Sequence, residues 1–133
     1  MNITLEHWFS MGHTLHNYDG KCAHLHGHNY RLLVTVGSDK LDSQQMVMDF
    51  SDLKEALKQI VDDKYDHTFA IYENDPGAKP LTDLEPKLLL TKANPTAEYL
   101  AQEIKQQCVE YFAGNKTVER IQLWETDKAY AEV

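Results

Sequence analysis

Cysteine is scarce in this chain of 133 residues: Cys22 and Cys108 are the only two. Two thiols cannot build a disulfide framework. The first ten residues carry no export signal, because Glu6 and His7 interrupt any apolar run, so both thiols are expected to be reduced, as in a cytoplasmic protein. No apolar stretch approaches the length of a membrane span. Positive charge is also short: 13 Lys and Arg face 21 Asp and Glu, a formal net charge of -8. That balance excludes a protein that holds nucleic acid by its phosphates, and it makes an anionic membrane surface a poor partner. An anionic substrate then needs a local positive feature, which a metal ion supplies. What the chain does have is 42% hydrophobic residues, enough for a folded core, at a length that suits one domain over residues 1–133.

Residues 2–13 alternate, with Ile3, Leu5, His7, Phe9, Met11 and His13 on one parity, which is the period of a strand. A second strand is expected from about 26 to 36, where Tyr30, Leu32, Val34 and Val36 share a face with His26 and His28. Residues 46–50 read as a short extended piece. The helix after it has Leu53, Ala56, Leu57, Ile60 and Val61 at helical spacing, with Asp49 or Ser51 as its cap. Pro76, Pro80 and Pro86 mark loops across 74–90. A second helix begins near Pro95, buries Leu100, Ile104, Cys108 and Phe112, and stops at Gly114. Strands over 117–125 and 128–133 close the chain. The order β-β-α-α-β-β indicates an α+β fold with an antiparallel sheet.

Seven histidines is a high count, and His13, His16, His24, His26 and His28 fall within one short stretch. Residues i and i+2 of a strand point to one side, so His26 and His28 can reach a single ion, with His13 from the preceding strand as a third ligand. Three imidazoles leave one tetrahedral position open, as catalytic zinc requires. Gly27 lets the backbone pass close between the two ligands. His24 shares their parity and is a candidate to hydrogen-bond one of them. Cys22, four residues before His26, reads as an acid/base or fourth ligand, or else as a small buried hydrophobe. Asp66-His67 reads as a carboxylate fixing an imidazole, or as a solvated loop. Glu125 shares the parity of Ile121 and Leu123 and, if that face is buried, needs a partner such as a ligand N–H; a strand-end glutamate in water is the alternative.

Taken together, Phe9-Ser10-Met11-Gly12-His13, Cys22-Ala23-His24-Leu25-His26-Gly27-His28-Asn29-Tyr30, Met46-Val47-Met48-Asp49-Phe50, Asp66-His67, Pro95-Thr96-Ala97-Glu98 and Glu125 resemble the 6-pyruvoyltetrahydropterin synthase family over nearly the whole chain. The three residues between Cys22 and His26 resemble its bacterial 6-carboxytetrahydropterin synthase branch, of queuosine biosynthesis. The resemblance implies the tunnelling fold, a four-stranded antiparallel sheet with two helices on one face. It also implies a homo-oligomer, commonly a hexamer of two trimers, with active sites at subunit interfaces. It implies Zn2+ on His13, His26 and His28, and proton transfer by Cys22 and by His67 with Asp66. Glu125 and Thr96 would hold the pterin. The reaction implied is conversion of 7,8-dihydroneopterin triphosphate to 6-carboxy-5,6,7,8-tetrahydropterin with loss of acetaldehyde and triphosphate. The alternatives are the pyruvoyl product, or a non-catalytic pterin- or purine-binding zinc protein on the same scaffold. Gln45 stands where the family commonly has Gly, Tyr65 where Leu is usual, and Tyr99 where Asn is usual; the first requires the turn to close differently.

Overall fold

Alternation of apolar and polar residues gives the two longest strands of the computed structural model, which describes residues 1–85 and 87–133. In chain order, β1 (Asn2–His13) and β2 (His26–Gly37) lead into helix α1 (Phe50–Leu57). Strand β3 (Thr68–Tyr72), helix α2 (Ala78–Leu84) and strand β4 (Leu88–Thr91) follow. Helix α3 (Ala97–Tyr111) and strands β5 (Thr117–Thr126) and β6 (Ala129–Glu132) close the chain. The sheet runs β4-β3-β1-β2-β5-β6. β1, β2, β5 and β6 pair antiparallel in turn, whereas β3 lies parallel to β1 and β4 parallel to β3.

The expected four-stranded sheet with two helices is thus corrected, among the described residues, to a mixed sheet of six strands with three helices. The difference lies in residues 68–91, a β-α-β unit that takes in the stretch 74–90 where loops were expected. Pro80 occupies the first turn of α2, where its missing N–H costs no helical bond. Pro76 lies in the turn before that helix, and Pro86 lies outside the described residues.

One face of the sheet carries Phe9, Met11, Tyr30, Leu32, Val34, Ile121 and Leu123, all buried, with α1 and α3 packed on that face. Helix α1 supplies Leu53, Ala56 and Leu57, and a π-helical turn over Lys58–Asp62 carries on to bury Ile60 and Val61. The Asp49 carboxylate caps α1, accepting from the Ser51 N–H at 2.7 Å. Helix α3 buries Leu100, Ala101, Ile104 and Cys108; Thr96 caps it, so Pro95 lies just before the helix and not in its first turn. No helix among the described residues is long and apolar enough to cross a membrane.

Residues 46–50 are not extended. Asp42 accepts from the Gln44 and Met46 N–H groups at 2.9 Å each, and Gln45 takes φ +63 to close the turn. The turn therefore uses the left-handed conformation that glycine adopts most readily, with glutamine strained into it. Tyr65 is buried, and its hydroxyl accepts from Gln107 Nε2 at 2.5 Å; burial pushes the phenol up to about 12.

Candidate active site

Register alone brings three imidazoles together. His13 lies directly opposite His26, and Met11 lies opposite His28, so His28 is diagonal to His13. Ring centroids are 4.5 Å (His13–His26), 5.2 Å (His13–His28) and 5.0 Å (His26–His28) apart. One ligand nitrogen from each ring lies within 4.8 Å of the others. Gly27 makes this approach feasible: a Cβ there would stand 3.0 Å from the Met11 carbonyl oxygen and 3.2 Å from Gly12 Cα.

The protons of two rings follow from their partners. His13 Nδ1 lies 2.8 Å from the Pro95 carbonyl and His26 Nδ1 lies 2.7 Å from the His24 carbonyl. A carbonyl can only accept, so each Nδ1 carries the proton and each Nε2 presents a lone pair. The Nε2 atoms of all three histidines are buried without a hydrogen-bond partner. Glu125 Oε1 stands 3.5 Å from His13 Nε2 and 3.7 Å from His28 Nε2, too far for a hydrogen bond. Lone pairs and a carboxylate converging with no proton between them suit a cation, so the residues fit a divalent metal. Burial holds His13 and His28 below the ordinary imidazole value, against the pull of Glu125, and keeps both neutral as ligands must be. His24 contributes its backbone carbonyl to this set, not the side chain that its parity suggested.

A cavity of roughly 330 Å³ adjoins the triad, lined by His13, Cys22, Thr96, Glu98, Glu125 and Tyr130 among others. That size suits a small-molecule ligand. Cys22 reaches its wall on a 3-10 turn over Lys21–Ala23, laced to the end of β1 by Leu15 N–H to the Cys22 carbonyl (2.9 Å) and the Thr14 hydroxyl to the Ala23 carbonyl (2.9 Å). Glu125 sits where the register shifts between Trp124 and Thr126, a bulge that aims its carboxylate at the cavity. The buried Tyr30 hydroxyl donates to Glu125 Oε1 at 3.4 Å, and burial followed by the Glu125 charge raises its pKa. Thr96 spends its hydroxyl on capping α3, accepting from Tyr99 N–H at 3.3 Å, while lining the same cavity.

A sequence profile described as 6-pyruvoyl tetrahydropterin synthase matches residues 2–133. The chain belongs to the 6-pyruvoyl tetrahydropterin synthase family. Relatives named 6-carboxy-5,6,7,8-tetrahydropterin synthase include one from Aquifex aeolicus, 42% identical over 84% of this chain and 75% of its own. Another, from Rickettsia bellii, is 34% identical over 94% of both chains. The fold matches that of an uncharacterized protein from Wolinella succinogenes, with TM-score 0.86 and 23% identity over 100% of this chain and 97% of the other. It also matches 6-pyruvoyl tetrahydropterin synthase from Plasmodium falciparum, with TM-score 0.76 and 20% identity over 100% and 96%.

In this member of the 6-pyruvoyl tetrahydropterin synthase family, Asp66-His67 does not join the Cys22 cavity. Parallel pairing of β3 on β1 sets the dyad beside Ser10: Ser10 N–H donates to Asp66 Oδ1 (2.8 Å) and His67 N–H to the Ser10 carbonyl (2.7 Å). Partial burial would raise the Asp66 carboxyl, but the Ser10 N–H, His67 and Lys87 outweigh it and hold it low. His67 Nδ1 donates to Asp66 Oδ2 at 2.8 Å, its backbone takes φ +56, and its side chain is 78% exposed. It lines a separate hollow with Ser10, Gly27, His28 and Asn29. Sequence reasoning gave no role to Tyr30 or to the Pro95 carbonyl. The parity of Tyr30 with the histidines was the available signal for the first, and none existed for the second. Tyr99 packs against the core, and its hydroxyl accepts from Lys92 N–H at 3.2 Å, so it braces the loop before α3.

Proposed function

We propose that this chain acts as a cytoplasmic 6-carboxy-5,6,7,8-tetrahydropterin synthase in queuosine (7-deazaguanine) biosynthesis. It converts 7,8-dihydroneopterin triphosphate and one water to 6-carboxy-5,6,7,8-tetrahydropterin, acetaldehyde and triphosphate. The observation that carries the reading is the convergence of three unpartnered imidazole nitrogens beside a cavity whose wall joins one of those histidines, His13, to Cys22 and Glu125. The names of the relatives support the choice of reaction. In this reading His13, His26 and His28 hold Zn2+, which supplies Lewis-acid polarisation of the substrate's side-chain hydroxyls.

The chain's own residues do the rest. Cys22 takes a proton from the substrate side chain as a thiolate base. Glu125, aimed by the bulge and steadied by Tyr30, accepts hydrogen bonds from the N–H and amino groups of the pterin's pyrimidine edge. Thr96 limits the cavity at the start of α3 and orients the ring. His67 returns protons, with Asp66 fixing its tautomer. Because His67 lines a hollow other than the Cys22 cavity, the dyad serves the site of a neighbouring subunit, in a homo-oligomer built as a hexamer of two trimers. Residues 1–133 act as one domain.

Mass spectrometry of the products formed by zinc-loaded protein from 7,8-dihydroneopterin triphosphate tests the assignment. Carboxytetrahydropterin with acetaldehyde is the expected pair. A pyruvoyl product would move the chain to the other branch of the family, and no consumption of substrate would remove this reaction.

A further inference from the structure

We propose that Asn94 is a positioning residue for the metal centre, acting on His13 through the Pro95 carbonyl. The inference rests on the metal reading of the three histidines. Asn94 acts through the backbone and not as a ligand. Its side-chain amide pairs with the backbone of His16 on both arms: His16 N–H donates to Asn94 Oδ1 at 2.8 Å, and Asn94 Nδ2 donates to the His16 carbonyl at 2.9 Å. This is the two-bond pairing that a strand would make, supplied by one side chain. It fixes the loop before α3 to the chain three residues beyond His13. The next residue, Pro95, is buried, and its carbonyl accepts from His13 Nδ1 at 2.8 Å.

That bond decides which nitrogen of His13 is free. With the proton held on Nδ1, the Nε2 lone pair faces His26, His28 and Glu125. His26 obtains the same control locally, from the carbonyl of His24 two residues before it. His13 draws its control from a residue 82 positions away. The backbone of the intervening loop must therefore be held to within a hydrogen bond's tolerance, and the Asn94 clamp does this. The loop's other bonds are internal, reach α3 or reach Glu73 after β3: the Thr91 hydroxyl to the Ala93 carbonyl (2.6 Å), Thr96 N–H to the Asn94 carbonyl (2.8 Å), Lys92 N–H to the Tyr99 hydroxyl (3.2 Å), Lys92 Nζ to Glu73 Oε2 (2.7 Å) and Glu73 N–H to the Thr91 carbonyl (2.9 Å). They shape the loop but do not tie it to the end of β1.

The test is zinc titration of the full chain against a competing chromophoric chelator, for wild type, Asn94→Ala, Asn94→Asp and Thr91→Val. Asn94→Ala is expected to lose about 10- to 100-fold in zinc affinity. Thr91→Val, which removes a bond of the same loop and leaves the clamp intact, is expected to bind as wild type does. Nitrogen NMR of the metal-free proteins should show the His13 proton on Nδ1 in wild type and shared between both nitrogens in Asn94→Ala. Equal zinc affinity in wild type and Asn94→Ala overturns the proposal, as does an equal loss in Thr91→Val. If Asn94→Ala does not fold, Asn94→Asp, which keeps the acceptor and loses the donor, takes its place, and wild-type affinity there overturns the proposal. A wild-type protein that takes up no zinc removes the metal reading itself, and this proposal with it.

Discussion

Loading the three histidines with zinc should raise the melting temperature by about ten degrees, a magnitude that follows from the site. Without a cation, three Nε2 atoms are buried with no partner, and each such atom costs about 1–3 kcal/mol. Binding to the folded state alone stabilises by about 2.7 kcal/mol when free zinc is a hundredfold above its dissociation constant. For a chain of this size each kcal/mol moves the midpoint by roughly 3–5 °C, giving a rise on the order of 10 °C. The assay is a thermal melt at fixed protein concentration, in chelator and in zinc, for wild type and His28→Ala. His28, like His26, is only part-buried, so its loss leaves the core intact. The rise should also depend on pH. Burial keeps His13 and His28 below the ordinary value of 6.5, so they stay neutral in the fold while the unfolded chain takes up protons below that pH. Their contribution to stability is complete above pH 6.5 and is lost as the pH falls toward their folded-state values. The zinc-dependent rise should shrink as the pH falls through those folded-state values, where protons begin to compete for Nε2 of His13 and His28 in the fold. A wild-type midpoint indifferent to zinc, or an equal rise in His28→Ala, would refute the reasoning.

Glu125→Gln should keep its zinc and raise KM more than it lowers kcat, because the carboxylate is assigned to the pterin edge; zinc titration beside steady-state kinetics checks both, and loss of zinc would make Glu125 a fourth ligand instead. Cys22→Ala and His67→Ala should each be inactive alone, yet recover about a quarter of wild-type activity when denatured, mixed equally and refolded, because a site drawing the two residues from different chains is intact in that fraction of random pairings; no recovery would place both residues in one chain's site. Gln45→Gly should stabilise the fold by about 0.5–1 kcal/mol, since it relieves a left-handed glutamine at φ +63 and loses part of that gain to the greater freedom of the unfolded chain; chemical denaturation reads it.

The part of the fold that repeats a regular period was legible in the sequence. Alternation along β1 and β2 places His13, His26 and His28 on the helix-covered face, and helical spacing finds α1 and α3 with their buried stripes. The unit over residues 68–91 was missed because β4 has four residues and α2 seven, too short to show a period, and because Pro80 sits inside a helix where prolines usually mark loops. The parity of Glu125 correctly gave its face. The bulge that turns it toward the cavity depends on pairing with β6, which no single strand reveals. The relation of Asp66-His67 to the cavity was equally hidden, since it follows from β3 lying parallel to β1 across a long stretch of chain. Register between distant segments also made the Pro95 carbonyl a partner of His13.

The most direct test of the central claim, an enzyme in which the Cys22 thiol does chemistry beside a metal held by three histidines, is turnover of 7,8-dihydroneopterin triphosphate by wild type and Cys22→Ala, both shown to carry zinc. The account predicts acetaldehyde formed mole for mole with substrate consumed by wild type, and a loss of about 100-fold or more in the variant. Equal turnover by the two proteins, or none by a fully loaded wild type, would contradict it.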